Sequence, residues 1–199
     1  MNRKGFTLVE LLGVVVILSI VLTIAIPAAS NYIDSSKREA FADVLSEYVD
    51  AVRKGIAAED YMAPIDSNQV LIVSLESIPL DKGKFSSSFD SEWVKSKSYV
   101  AVVNTGTPNN IEYTYLVAGQ DKDRHAIPLM NIDDVNRSEV ISDAKNKMEV
   151  TIQSLCGTPS GKKAILSTIK GLENLQPTDT NGNRIDWIAT IYSSNTCAS

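Results

Sequence analysis

The sequence predicts an α+β protein. One long N-terminal helix spans a membrane in its first half and packs through its amphipathic second half on an antiparallel β-sheet. Three observations predict this. Phe6 opens a run of 21 residues to Ile26 in which Glu10 is the only charge. Residues 40–56 then place apolar side chains at helical spacing, and from residue 99 onward short apolar or alternating segments are divided by turn clusters.

The first element is set by bilayer thickness. At helical rise the run Phe6–Ile26 covers about 31 Å, which matches a hydrocarbon core of roughly 30 Å. Arg3 and Lys4 stand just outside it and hold the N-terminus on the cytoplasmic side. Glu10 does not fit a passive span. An ionisable group costs about 2.5–3.5 kcal/mol at the centre of a spanning helix, and less near an end, so it marks a function. A secretory signal peptide would have a longer basic region, a shorter apolar core and a small-residue cleavage site; Ala25-Ile26-Pro27-Ala28-Ala29-Ser30 only imitates one. An ordinary anchor would have no use for Glu10 or for a glycine directly before Phe6.

The helix is expected to continue past Pro27. Proline removes the hydrogen bond to the carbonyl of Thr23 and crowds it, so a bend is predicted there. Ala40, Phe41, Val44, Leu45, Tyr48, Val49, Val52 and Ile56 form the apolar stripe, opposite Lys37, Arg38, Asp43, Glu47, Asp50 and Lys54. Gly55 is a weak spot, and Pro64 predicts a stop near Tyr61.

Beyond it, residues 65–98 read as a polar, Ser-rich connection with short apolar runs such as Val70-Leu71-Ile72-Val73. A three-stranded antiparallel meander follows, over 99–103, 111–117 and 126–130, with turn clusters at 104–110 and 119–124. Val140, Ile141, Ala144 and Met148 suggest a short helix, and Ile165, Ile169, Leu172 and Leu175 another. Ile185, Trp187, Ala189 and Ile191 share one face of a last strand. This C-terminal material is expected along one edge of the sheet.

Lys4-Gly5-Phe6-Thr7-Leu8-Val9-Glu10 resembles the prepilin signature of type IV pilins and the related type II secretion pseudopilins. The resemblance covers roughly the first 30 residues. It implies a leader (1–5) cut after Gly5 by a prepilin peptidase and N-methylation of the new terminus at Phe6. It also implies that Glu10 and the Phe6 amine guide subunit assembly, by pairing between neighbours or within one chain. Pro27 falls where many members bend, and the segment from about Ser19 to Pro27 either simply kinks or unwinds in a filament. The implied organisation is a leader (1–5), a transmembrane assembly helix (6–27), its amphipathic continuation (28–62) and a globular pilin head (63–199). The implied partners are other pilin subunits, the peptidase/methylase, the assembly platform and the membrane. The chain would reside in the cytoplasmic membrane before assembly and in an extracellular pilus afterwards, serving adhesion, motility or DNA uptake.

The remaining residues bound the function further. The net charge of −5 becomes −7 once Arg3 and Lys4 leave, an acidic balance with no general footprint for nucleic acid. The two cysteines, Cys156 and Cys197, form an even pair in a segment expected outside the membrane, which reads as a disulfide. Closing that loop is worth roughly 4 kcal/mol on the chain-entropy estimate. The alternative is two buried, inert thiols. Many pilins close a C-terminal segment with such a bridge. Asp179, Asn181, Asn183 and Asp186 alternate like a calcium loop, but the glycine comes too early and Thr190 stands where a bidentate glutamate belongs. Asn181-Gly182 reads more strongly as a hairpin turn, so no metal and no cofactor is expected.

His125 reads as a solvated loop residue, and Asp133-Asp134 as a solvated face. A single histidine, with no Walker A loop, nucleophile elbow or HExxH, leaves no catalytic constellation. The chain reads as a substrate of enzymes rather than an enzyme. Two alternatives stay open: a pseudopilin of a secretion or competence system, and a membrane-tethered binding protein that never polymerises.

Overall fold

The computed structural model describes residues 7–80, 85–107, 110–145, 150–155, 159–169 and 188–193. The first helix, α1, runs Leu8–Ala57 with Pro27 inside it. It is long and apolar enough to cross a membrane. The chain divides into two compact units, Met1–Lys37 and Arg38–Ser199. In the first unit, residues 8–34 of α1 are exposed along their whole length.

In the second unit the sequence continues as β1 (Gln69–Ser74), β2 (Tyr99–Asn104), β3 (Tyr113–Gln120) and β4 (Ala126–Asn131). The helix α2 (Pro159–Ser167) and the strand β5 (Ile188–Tyr192) follow. The strands form one sheet in the order β4-β3-β2-β1-β5. The predicted meander is β2-β3-β4, antiparallel throughout. β1 joins β2 antiparallel, from Val70 opposite Val103 to Ser74 opposite Tyr99. β5 lies parallel to β1, so the sheet is mostly rather than wholly antiparallel.

Both faces of this sheet are covered. On one face Leu71, Val73, Val100, Val102, Val117 and Ile127 meet Phe41, Leu45, Tyr48, Val49 and Val52 of the α1 stripe. Trp93 seals that layer, with its ring centroid 4.9 Å from Phe41 and 6.5 Å from Tyr48. Gly119 lets the helix come close. A Cβ there would stand 2.9 Å from both Leu45 Cδ2 and Trp93 Cζ3, and the β3–β4 register shifts at this point. On the other face Val70, Ile72, Tyr99, Ala101, Val103, Leu116 and Ala118 pack with Ile152, Leu155, Ile165, Leu166 and Ile169. Truncating a core leucine such as Leu45 to alanine therefore costs about 2–5 kcal/mol.

Four expectations are corrected. The run at 70–73 is not loop but an inner strand between β2 and β5. The C-terminal material does more than line an edge: β5 extends the sheet beside β1, while Ile152, Leu155, Ile165, Leu166 and Ile169 cover its second face. Residues 140–145 are not helical. Val140 packs into the α1-side core, whereas Ile141 and Ala144 pack on the opposite side. The change of side from Val140 to Ile141 is that of extended chain, and Ile141 pairs with Ala126 through two backbone bonds of 2.7 and 2.9 Å. Met148 lies outside the described residues. Finally, α1 stops at Ala57, before the expected Tyr61. Glu59 takes a left-handed conformation (φ 63°), Asp60 N–H bonds Gly55 O at 2.9 Å and Glu59 N–H bonds Ile56 O at 3.2 Å, a Schellman ending.

Candidate functional site: the N-terminal assembly segment

Helix α1 begins at a reciprocal cap. The first turn of a helix leaves four backbone N–H groups without intrahelical partners, a cost that grows as water is withdrawn. Thr7 and Glu10, three residues apart, answer it. Glu10 N–H bonds Thr7 Oγ1 at 3.3 Å, and the Glu10 carboxylate accepts from Thr7 N–H at 2.8 Å. This is a capping box, Thr-x-x-Glu. The Thr7 hydroxyl also donates to the same carboxylate oxygen, at 2.8 Å. Both carboxylate bonds land on Oε2, so Oε1 keeps acceptor capacity for another donor. Both donors are neutral, so no cation among the described residues compensates the charge. Glu10 thus holds two properties at once: it starts the helix, and it offers an anion to whatever cation approaches. The second property shows in the sequence as a lone charge in an apolar run, and the first is written there too, since Thr7-Leu8-Val9-Glu10 spells the box.

Further along, three residues at intervals of four weaken one side of the helix. Ser19 Oγ donates back to Val15 O at 2.8 Å, and Thr23 Oγ1 donates back to Ser19 O at 2.8 Å. Such back-bonding competes with the backbone ladder and bends helices slightly. Pro27, the next in the series, has no N–H for Thr23 O. The backbone is helical across all three.

Gly5 and Phe6 lie outside the described residues, as do Cys156, Cys197, Asp179, Asn181, Asn183 and Asp186. Among the described residues no group of three or more His, Cys, Asp or Glu is arranged to hold a metal ion.

Two side chains expected in solvent are engaged instead. His125 stacks on Phe89 at 3.7 Å with an interplanar angle of 5°. Its Nδ1 lies 3.1 Å from Asp121 Oδ2, and its side chain is only 21% exposed. Asp121 is fully buried and also accepts from Ser87 Oγ at 2.7 Å and His125 N–H at 2.9 Å. Ser87 donates to the carboxylate rather than to the imidazole, so the cluster has the wiring of a structural knot, not of a nucleophile and its base. Arg38 donates to Val140 O at 2.6 Å and to Ser142 Oγ, tying α1 to the segment after β4. Asp133 and Asp134 are exposed, as expected.

Residues 1–26 match the prokaryotic N-terminal methylation motif. Together with the long apolar helix, this match fits a prepilin of the type IV pilin or pseudopilin class. No curated protein and no solved structure matches the chain. The motif implies processing by a prepilin peptidase and assembly with other pilin subunits, and with the apolar helix it suggests membrane anchoring. Proteins of this motif class are structural rather than enzymatic.

Proposed function

We propose that the chain is a structural subunit of a type IV pilus, cleaved and N-methylated at the membrane and then polymerised into an extracellular filament. The leader (1–5) is cut between Gly5 and Phe6, where the peptidase needs backbone unobstructed by a side chain. Phe6 is methylated and its amine stays cationic. Residues 6–27 form the assembly helix, 28–62 its amphipathic continuation and 63–199 the head. A Cys156–Cys197 bridge ties down the C-terminus. Weakening of the helix at Ser19, Thr23 and Pro27 supplies the bend, or the stretch, of the assembled form.

Glu10 carries the reading. Its carboxylate sits in the first turn of an apolar spanning helix with an oxygen left for a further partner. Burying an anion in lipid without a cation is expensive, and breaking a buried pair by removing one member costs about 3–5 kcal/mol. The methylated amine of a neighbouring Phe6 is the cation that assembly provides. Pairing the two fixes the axial register of each incoming subunit.

Because Glu10 also caps the helix, the test must separate its two roles. Glu10→Gln keeps the capping box, since glutamine serves at that position, and removes only the charge. It is expected to insert, to be cut after Gly5 and to fail in filament assembly. Glu10→Val removes the charge and the carboxylate half of the capping box, while the Thr7 hydroxyl still accepts the N–H of residue 10, and it is expected to fail in the same way. Filaments of normal number and length from cells carrying only Glu10→Gln would show that the charge pair is not the mechanism here.

A further inference from the structure

We propose that Asn136 is an N-glycosylation site, joined through Nδ2 to an oligosaccharide supplied as a lipid-linked diphosphate. The sequence contains one Asn-X-Ser/Thr triplet with X other than proline, Asn136-Arg137-Ser138. The assignment rests on the proposed pilin reading in one respect: the head must lie on the far side of the membrane, where such donors are used.

The fold presents this triplet rather than hiding it. Asn136 follows β4, between the 3₁₀ turns Ile132–Asp134 and Arg137–Glu139. Asp134 and residues 136–139 are exposed. Asn136 has an extended backbone, φ −154° and ψ 173°, which leaves its side chain standing at a turn. Asn136 Oδ1 accepts Ser138 N–H at 2.9 Å and also the Ser138 hydroxyl, whose other acceptor, Glu139 Oε1, is farther away at 3.4 Å. Asn136 Nδ2 donates to Asp134 O at 2.9 Å.

This arrangement bears on the chemistry. An amide nitrogen is a poor nucleophile because its lone pair is delocalised into the carbonyl. Donation from Ser138 to Oδ1 draws charge onto oxygen and acidifies the Nδ2 protons. In the transfer, Nδ2 attacks C1 of the first sugar as the C1–O bond to the diphosphate breaks. The lipid diphosphate leaves with the electron pair, and one Nδ2 proton passes to a carboxylate base of the transferase. The product keeps Oδ1 and one N–H, so both turn contacts can persist and the folded head accommodates the glycan.

The test uses the full chain purified from its own host. The tryptic peptide 125–137 contains Asn136 and no internal Lys or Arg. Its mass is expected to be raised by a set of sugar residues in wild type and in Ser138→Thr, and to be unmodified in Ser138→Ala. Asn136→Gln is likewise expected to carry no sugar. An unmodified peptide from wild type, or a glycan that survives Ser138→Ala, overturns the proposal. The N-terminal fragment from the same sample separates this outcome from the parent reading. A chain that begins at Phe6 with a bare Asn136 sinks the glycan alone, and one that still begins at Met1 with a bare Asn136 sinks both. A glycan on an uncut chain upholds the site and overturns the prepilin reading.

Discussion

At the scale of single residues, Glu59 holds a backbone conformation that its side chain disfavours. A left-handed residue at the helix end costs roughly 1–2 kcal/mol for a side chain bearing a Cβ, whereas glycine occupies it freely but gives up more chain entropy on folding. Glu59→Gly is therefore expected to stabilise the head by about 0.5–1 kcal/mol, read as a higher urea midpoint with an unchanged slope. No rise in the midpoint would show that other contacts set this turn. Just before it, Gly55 serves close packing rather than weakness. A Cβ there would stand 2.4 Å from the Tyr61 ring, which in turn meets Tyr192 edge-on at 5.1 Å. Neither role could be read from the sequence, since a glutamate in a left-handed turn carries no mark of it and Tyr61 finds Gly55 only after the chain reverses. Glu10 is the opposite case. Its cost in lipid and its spacing from Gly5 were legible, and Thr7 three residues before it made the cap legible too.

The strands show why element type was legible in some places and not in others. Meander strands separated by turn clusters announced themselves. β1 did not: Val70 and Ile72 are buried on one face and Leu71 and Val73 on the other, with no polar alternation, and the run stands alone in a polar, Ser-rich stretch with no neighbouring strand in sequence to pair it. β2 is buried on both faces as well, but the turn cluster at 104–110 and the alternating strand after it mark it; the layer that covers the second face of both strands, Ile152, Leu155, Ile165, Leu166 and Ile169, comes far along the chain. Tyr99 at the start of β2 reports on the same layer. Its phenol is buried, donates to Val150 O at 3.2 Å, and is pushed far above its usual pKa by loss of water. A folded-state pKa raised above the unfolded value of about 10 gives stability that is present below that pH and lost as pH rises beyond it. Tyr99→Phe is expected to cost about 1 kcal/mol at neutral pH through the lost hydrogen bond. It should also decline less steeply than wild type above pH about 10. Urea midpoints followed from neutral to alkaline pH decide it, and parallel curves for the two proteins would contradict the burial account. Tyr48, Tyr61 and Tyr115 are also shifted upward by burial, so a reduced slope is expected, not a flat one.

For the whole molecule, the division into two units follows the two solvents the chain must meet. Residues 8–34 keep their apolar side chains outward, which suits lipid or neighbouring helices and nothing aqueous. The described residues from Arg38 onward bury theirs in two layers, one on each face of the sheet. The proposed life of the protein depends on converting the first unit from a membrane anchor to the core of a filament, and the enabling step is removal of residues 1–5. Mass measurement of the N-terminal fragment, taken from membranes and surface filaments of the protein's own host, tests this most directly. The fragment is expected to begin at Phe6 and to carry one added methyl group, with Gly5→Leu leaving the chain uncut and membrane-bound. A fragment that retains Met1, or one that begins beyond Ala29 as after signal-peptide cleavage, would contradict the prepilin reading.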